Sequence, residues 1–120
     1  MPSKKREASY DYVCFSELVY EYDKPKETEK KIKRRLKYYE LADYDQARVD
    51  YIRKLRNDLS EEIQKNRESK YYLESKDTYS ALHDFDVDLL LQDFLLKYQN
   101  ISKDDMGSIL LLAIYVYYLR

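Results

Sequence analysis

Among its 120 residues the chain has one Gly, two Pro, one Cys, one His and no Trp. So little Gly and Pro leaves few places for the tight turns of a β-meander, because those turns depend on positive φ or a preset φ. An all-β fold is therefore excluded in favour of helices joined by short polar connections. Cys14 stands alone, so an intrachain disulfide is excluded and a reducing, cytoplasmic location is expected. The same scarcity argues against zinc, which wants several Cys or His ligands, and a single Gly cannot build a phosphate-cradling loop. His83 has no Cys or second His beside it to work with, and we expect no cofactor and no catalysis. Long hydrophobic runs are missing too: "ILLLAIYVYYL", residues 109–119, is uncharged but only 11 long, against the roughly 20 a membrane span needs.

What is present is charge, and it is segregated. Charged residues make up 38% of the chain and sum to −1. Residues 7–23 hold five acids and no base. Residues 24–37 hold eight bases against Glu27 and Glu29, and residues 74–105 hold eight acids against three Lys. Leu, Ile, Val and Phe form about a quarter of the chain, enough for one modest core.

The hydrophobic pattern predicts an all-α fold: a small helical bundle with a central antiparallel hairpin and a buried apolar C-terminal helix. We read residues 1–120 as a single helical domain with a flexible basic N-terminus over 1–8. Residues 9–22 fit a helix or a strand; helix is preferred because no partner strand is in view. Asp23 is expected to cap, and Pro25 to open the first turn of, a helix whose narrow apolar stripe is Thr28, Ile32, Leu36 and Tyr39. After Tyr39 the phase jumps, so a turn is placed at 41–45, with Asp43 and Gln46 as its capping box. A second helix follows from about 45 to 73, giving a hairpin over 26–73. Beyond a polar joint, residues 86–119 read as an apolar helix pair, with Ser102 as a cap and Gly107 as a place for a close helix crossing.

Two features suggest function. Lys26, Lys30, Lys33 and Lys37 fall within about 60° on a helical wheel, with Arg34 beside them, away from the apolar stripe. Such a line of cations suits a phosphate backbone or an acidic protein surface. The second feature is fifteen Tyr against three Phe. Tyr favours half-buried places and is enriched at protein interfaces. Candidates are Tyr10, Tyr12, Tyr20, Tyr22, Tyr38, Tyr44, Tyr51, Tyr71 and Tyr72. Asp84, Asp86 and Asp88 open like a calcium loop, but Leu89 and Leu95 stand where Gly and Glu are required, so no metal is expected.

The expected partner- or phosphate-binding set is Lys26, Lys30, Lys33, Arg34, Lys37, Tyr38 and Tyr39, with Tyr71 and Tyr72 as a further interface. The first expectation is a non-enzymatic protein-binding module. One form of it is a phage or mobile-element regulator or inhibitor of a nucleic-acid-binding machine, the class that includes anti-CRISPR-type inhibitors. The alternative is a sequence-blind nucleic-acid binder or dimeric transcriptional regulator using the basic helix 26–40. Asn and Gln, the usual base readers, are absent from residues 24–45. A third expectation is a homodimer held through 103–119. No membrane contact is expected.

Overall fold

A computed structural model describes residues 8–73 and 84–119. His83 and the Glu74-Ser75-Lys76 triplet lie outside them. The described residues form five α-helices and no strand: α1 (Tyr10–Leu18), α2 (Pro25–Tyr38), α3 (Gln46–Gln64), α4 (Val87–Lys97) and α5 (Lys103–Ile114). A single 3₁₀ turn follows α3 at Asn66–Glu68, and Tyr115–Leu119 continue α5 as a π-helix. The fold is all-α, a small helical bundle. It divides into two compact units, Met1–Arg56 and Asn57–Arg120, with the boundary inside α3.

In the first unit, α1 begins where the Ser9 hydroxyl accepts the Tyr12 backbone N–H at 3.1 Å. Asp11, Val13, Cys14, Phe15 and Leu18 are all buried, so α1 is enclosed on most sides. This enclosure explains why residues 9–22 lack a clean period in sequence: a helix without a solvent face has little amphipathic signal. The segment is helical to Leu18 and turns back through N–H bonds from Tyr20 to Glu17 and from Glu21 to Leu18.

α1 packs against α2, which buries Thr28, Ile32 and Leu36. Three of the four stripe residues are thus in the core, and Tyr39 is half-buried. Pro25 occupies the first turn as expected, but the position before it is Lys24, which makes no side-chain cap bond. α3 is capped by Asp45, whose carboxylate accepts the Arg48 N–H at 3.3 Å, rather than by Asp43. A cap at Asp45 puts Arg48 at the third helical position, three residues on, where a capping oxygen reaches.

The close helix pairs among the described residues are α1 with α2 and α4 with α5, and the central antiparallel hairpin expected over 26–73 is not one of them. α3 also stops at Gln64, not 73, with Asn66 at φ 54° just beyond. Ile63 is its last buried side chain, and the polar stretch that follows gives the helix nothing to pack.

In the second unit, Asp86 caps α4 by accepting the Leu89 N–H, and Ser102 caps α5 by accepting that of Asp105, both at 3.1 Å. α5 buries Met106, Ile109, Leu110, Ala113 and Ile114. The C-terminal helix is not buried all round, since Leu111 is 47% and Tyr115 52% exposed. Nothing lies within 4 Å of a Cβ placed on Gly107, so no close helix crossing depends on it. No described helix is long and apolar enough to cross a membrane.

Candidate binding face on α2

The helical turn of α2 separates its side chains by role. Ile32 is fully buried and Leu36 is 2% exposed, which anchors one side against α1. Lys26, Lys30, Lys31, Lys33, Arg34, Lys37 and Tyr38 are exposed. Lys26, Lys30, Arg34 and Tyr38 are spaced four apart, so they form one ridge rising about 6 Å per step. Tyr38 is 51% exposed at the end of that ridge, edge-on to Tyr39 with ring centroids 5.0 Å apart. Tyr39 is half-buried, and the Arg35 guanidinium lies over its ring at 5.8 Å.

Whether such a face stays cationic depends on where the nearby carboxylates are held. In the first unit Asp11, Glu17 and Glu21 are held by arginine. Arg48 donates to both oxygens of Asp11, from Nε at 2.8 Å and from its terminal nitrogen at 2.6 Å. Arg35 donates to Ser16 at 2.5 Å and Glu17 at 3.1 Å. Glu21, whose side chain is 5% exposed, takes both Arg53 at 3.0 Å and Arg56 at 3.2 Å. Burial alone would raise the Glu21 carboxyl, but the hydrogen bonds from Arg53 and Thr28 and the two guanidinium charges outweigh it and hold the group below its usual range. Within α2, Glu29 pairs with Lys33 at 2.7 Å and Glu27 with Lys24 at 4.0 Å. Lys26, Lys30, Lys31, Arg34 and Lys37 make no ion pair or hydrogen bond among the described residues.

The C-terminal end of this face is fixed by α1. The Tyr10 hydroxyl donates to the Asp43 carbonyl at 2.9 Å and accepts the Asp45 N–H at 2.8 Å, which ties down the connection from α2 to α3. Lys33 lies 5.1 Å from the centre of the Tyr44 ring. Cys14 takes no part: burial, with Asp11 adding to it, pushes its thiol up to about 12, so it stays protonated and unreactive.

The second unit uses its candidates differently. Tyr71 is 4% exposed and donates to Asp93 at 2.7 Å, so the fold absorbs it and it offers no interface. Tyr72 is half-buried, bridged by backbone to Phe85 and edge-on to its ring. Asp84 accepts the Tyr118 hydroxyl at 2.5 Å, and Asp58 accepts that of Tyr98 while pairing with Lys97 at 3.0 Å. Of the Asp-x-Asp-x-Asp triplet, then, one acid caps a helix and one holds a tyrosine. Among the described residues no three His, Cys, Asp or Glu converge on a point where a metal ion would sit.

Sequence reasoning found the lysine row and missed the Tyr–Asp and Arg–carboxylate pairs. One available signal was the run of five acids without a base over 7–23, which must find its cations elsewhere in the chain. No family model, curated protein or solved structure matches the chain, so the face is read on its own geometry.

Proposed function

We propose that the protein is a non-enzymatic binding module that docks an acidic surface of a partner protein through the exposed face of α2. One observation carries this reading: Lys26, Lys30, Arg34 and Lys37 are exposed and unpaired among the described residues, while arginines engage the neighbouring acids. These cations are hydrated and not committed to the chain's own carboxylates among the described residues, so a partner does not have to displace an internal ion pair first. Such a face contributes to on-rate and orientation through long-range attraction. Tyr38, at the end of the ridge, adds an aromatic contact of the kind favoured at interfaces. A regulator or inhibitor that docks on a larger machine fits this chemistry, which needs no reacting group.

Nucleic acid is the second reading, supported by the same row. Each phosphate neutralised would add roughly 0.9 to the slope of log affinity against log salt. The lack of Asn and Gln over 24–45 argues against base readout.

Titration with polyglutamate and with a single-stranded oligonucleotide, each at two salt concentrations, tests the face. Polyglutamate is expected to bind the natural chain and to lose at least about tenfold in affinity to the triple variant Lys30→Glu, Arg34→Glu, Lys37→Glu. Equal binding by the variant would sink the reading. Preference for the oligonucleotide would turn it to the second.

A further inference from the structure

The end of α2 is a helix stop made without glycine. The Glu40 N–H bonds the Lys37 carbonyl at 3.1 Å and the Leu41 N–H bonds the Leu36 carbonyl at 2.9 Å, with Glu40 at φ 58°. This double closure is the Schellman arrangement, which brings the residue after the left-handed one back toward the helix. The chain then runs on to Asp43 and Asp45, where Tyr10 holds it. Between helix and connection lies an open groove of ≈ 620 Å³. Leu36, Leu41 and Ala42 supply its apolar lining. The helix side contributes Lys33 and Lys37, and the connection contributes Glu40 and Asp43.

We infer that this groove is an anchor pocket for a peptide segment of the partner protein, taking one apolar side chain flanked by a carboxylate on one side and a cation on the other. This rests on the reading of α2 as the docking face, and it names the kind of segment that face accepts. Three observations support it. The groove is preformed, because the Schellman closure and the Tyr10 bonds set its walls before any partner arrives, which lowers the ordering cost of binding. Its charge is split, so a segment fits in one direction: its acid toward Lys37, its base toward Asp43. Lys37 is also three and seven residues from Arg34 and Lys30, which makes the groove continuous with the free cationic row.

The loop-side carboxylates also decide between classes of partner. A phosphate backbone following the row into the groove would run against Glu40 and Asp43, whereas a peptide can offer Asp43 a cation.

The test uses a labelled peptide carrying two glutamates, a phenylalanine and a lysine in that order, and its twin with serine for phenylalanine. Anisotropy gives affinities and amide shifts give location. The phenylalanine peptide is expected to bind about tenfold tighter or more, with the largest shifts at residues 41–44. Ala42→Phe, which fills the groove from an exposed position, is expected to erase the difference. Lys30→Glu with Arg34→Glu is expected to weaken both peptides and keep their ratio. Equal affinities for the two peptides on the natural chain would overturn the pocket and leave the α2 reading standing, whatever the fate of the variants. Failure of both peptides and of polyglutamate would overturn both. Shifts at 41–44 from a single-stranded oligonucleotide as large as those from the peptide would overturn the choice of a peptide.

Discussion

Among the described residues, guanidinium groups hold three shielded carboxylates of Met1–Arg56, whereas tyrosine hydroxyls hold three carboxylates of Asn57–Arg120. Asp11, Glu17 and Glu21 are held by Arg48, Arg35, Arg53 and Arg56. Asp58, Asp84 and Asp93 are held by Tyr98, Tyr118 and Tyr71. The net charges diverge accordingly. The first unit carries fifteen Lys or Arg against eleven acids, +4, and the second seven against twelve, −5. The contrast separates two uses of positive charge. Arginine, with its planar fork, fixes acids inside the first unit, while Lys26, Lys30, Lys31 and Lys37, with Arg34, are left on α2 for solvent or a partner. In the second unit a neutral hydroxyl satisfies each of these acids, with Lys97 and Lys70 beside Asp58 and Asp93, and the net charge stays negative because acids outnumber bases there.

The comparison breaks most readily at Arg48. Arg48→Ala would leave Asp11, 8% exposed, with a buried carboxylate that has lost its fork, at a cost of about 3 kcal/mol. Urea denaturation measures the loss, and hydrogen exchange locates it. Faster exchange confined to α1, α2 and the start of α3 would sharpen the division into units, and a uniform loss would blur it.

A smaller effect is expected in the second unit. Tyr71→Phe removes one donor from Asp93 but leaves Lys70 at 3.6 Å, so about 1 kcal/mol is expected from the same denaturation.

Acidity should distinguish the units by a still smaller margin. Glu21 is held below its ordinary value in the folded chain, so its contribution is present above the unfolded carboxyl range, near pH 4.3, and fades as pH falls through the lower folded value. Tyr71 is raised by burial and then by Asp93, and Tyr118 by Asp84 and then by burial. Their contribution is complete below about pH 10 and is lost as pH climbs toward the folded values. Tyr10, Tyr44 and Cys14 are raised as well, so alkali strains both units. Exchange-resolved acid and alkaline titrations should show the acid loss at α1 and α3 first, while the α4–α5 amides respond chiefly to alkali.

The smallest change in stability per site belongs to the largest change in charge. Lys30→Glu, Arg34→Glu and Lys37→Glu touch no described partner, so the thermal midpoint should correspond to a shift within about 0.5 kcal/mol per site. A larger loss would show that the row is structural.

How much of this could be read in advance depended on distance along the chain. The α2 ridge was legible because helix periodicity is local: Ile32 and Leu36 mark one side and the lysines the other. The cap at Ser102 and the first-turn proline at Pro25 were equally local. The α1–α2 pairing was not legible, because α1 is buried on most sides and leaves no stripe to match. Tyr71 was misjudged because its apolar ring and polar tip suit an interface and a core alike; only Asp93, 22 residues on, decides between them. The cap at Asp45 lost out to Asp43 in the sequence because both precede the helix within three residues, and the Tyr10 hydroxyl bonds the Asp45 N–H.

The hydroxyl of Tyr10 also bears on where the chain can be cut. It reaches across to a carbonyl 33 residues downstream, in a protein with one glycine to break its helices. The full stop after α2 is therefore written near the beginning of the text, and a truncated product starting past Tyr10 would keep every lysine of the ridge yet lose the punctuation that holds the ridge's far end in place.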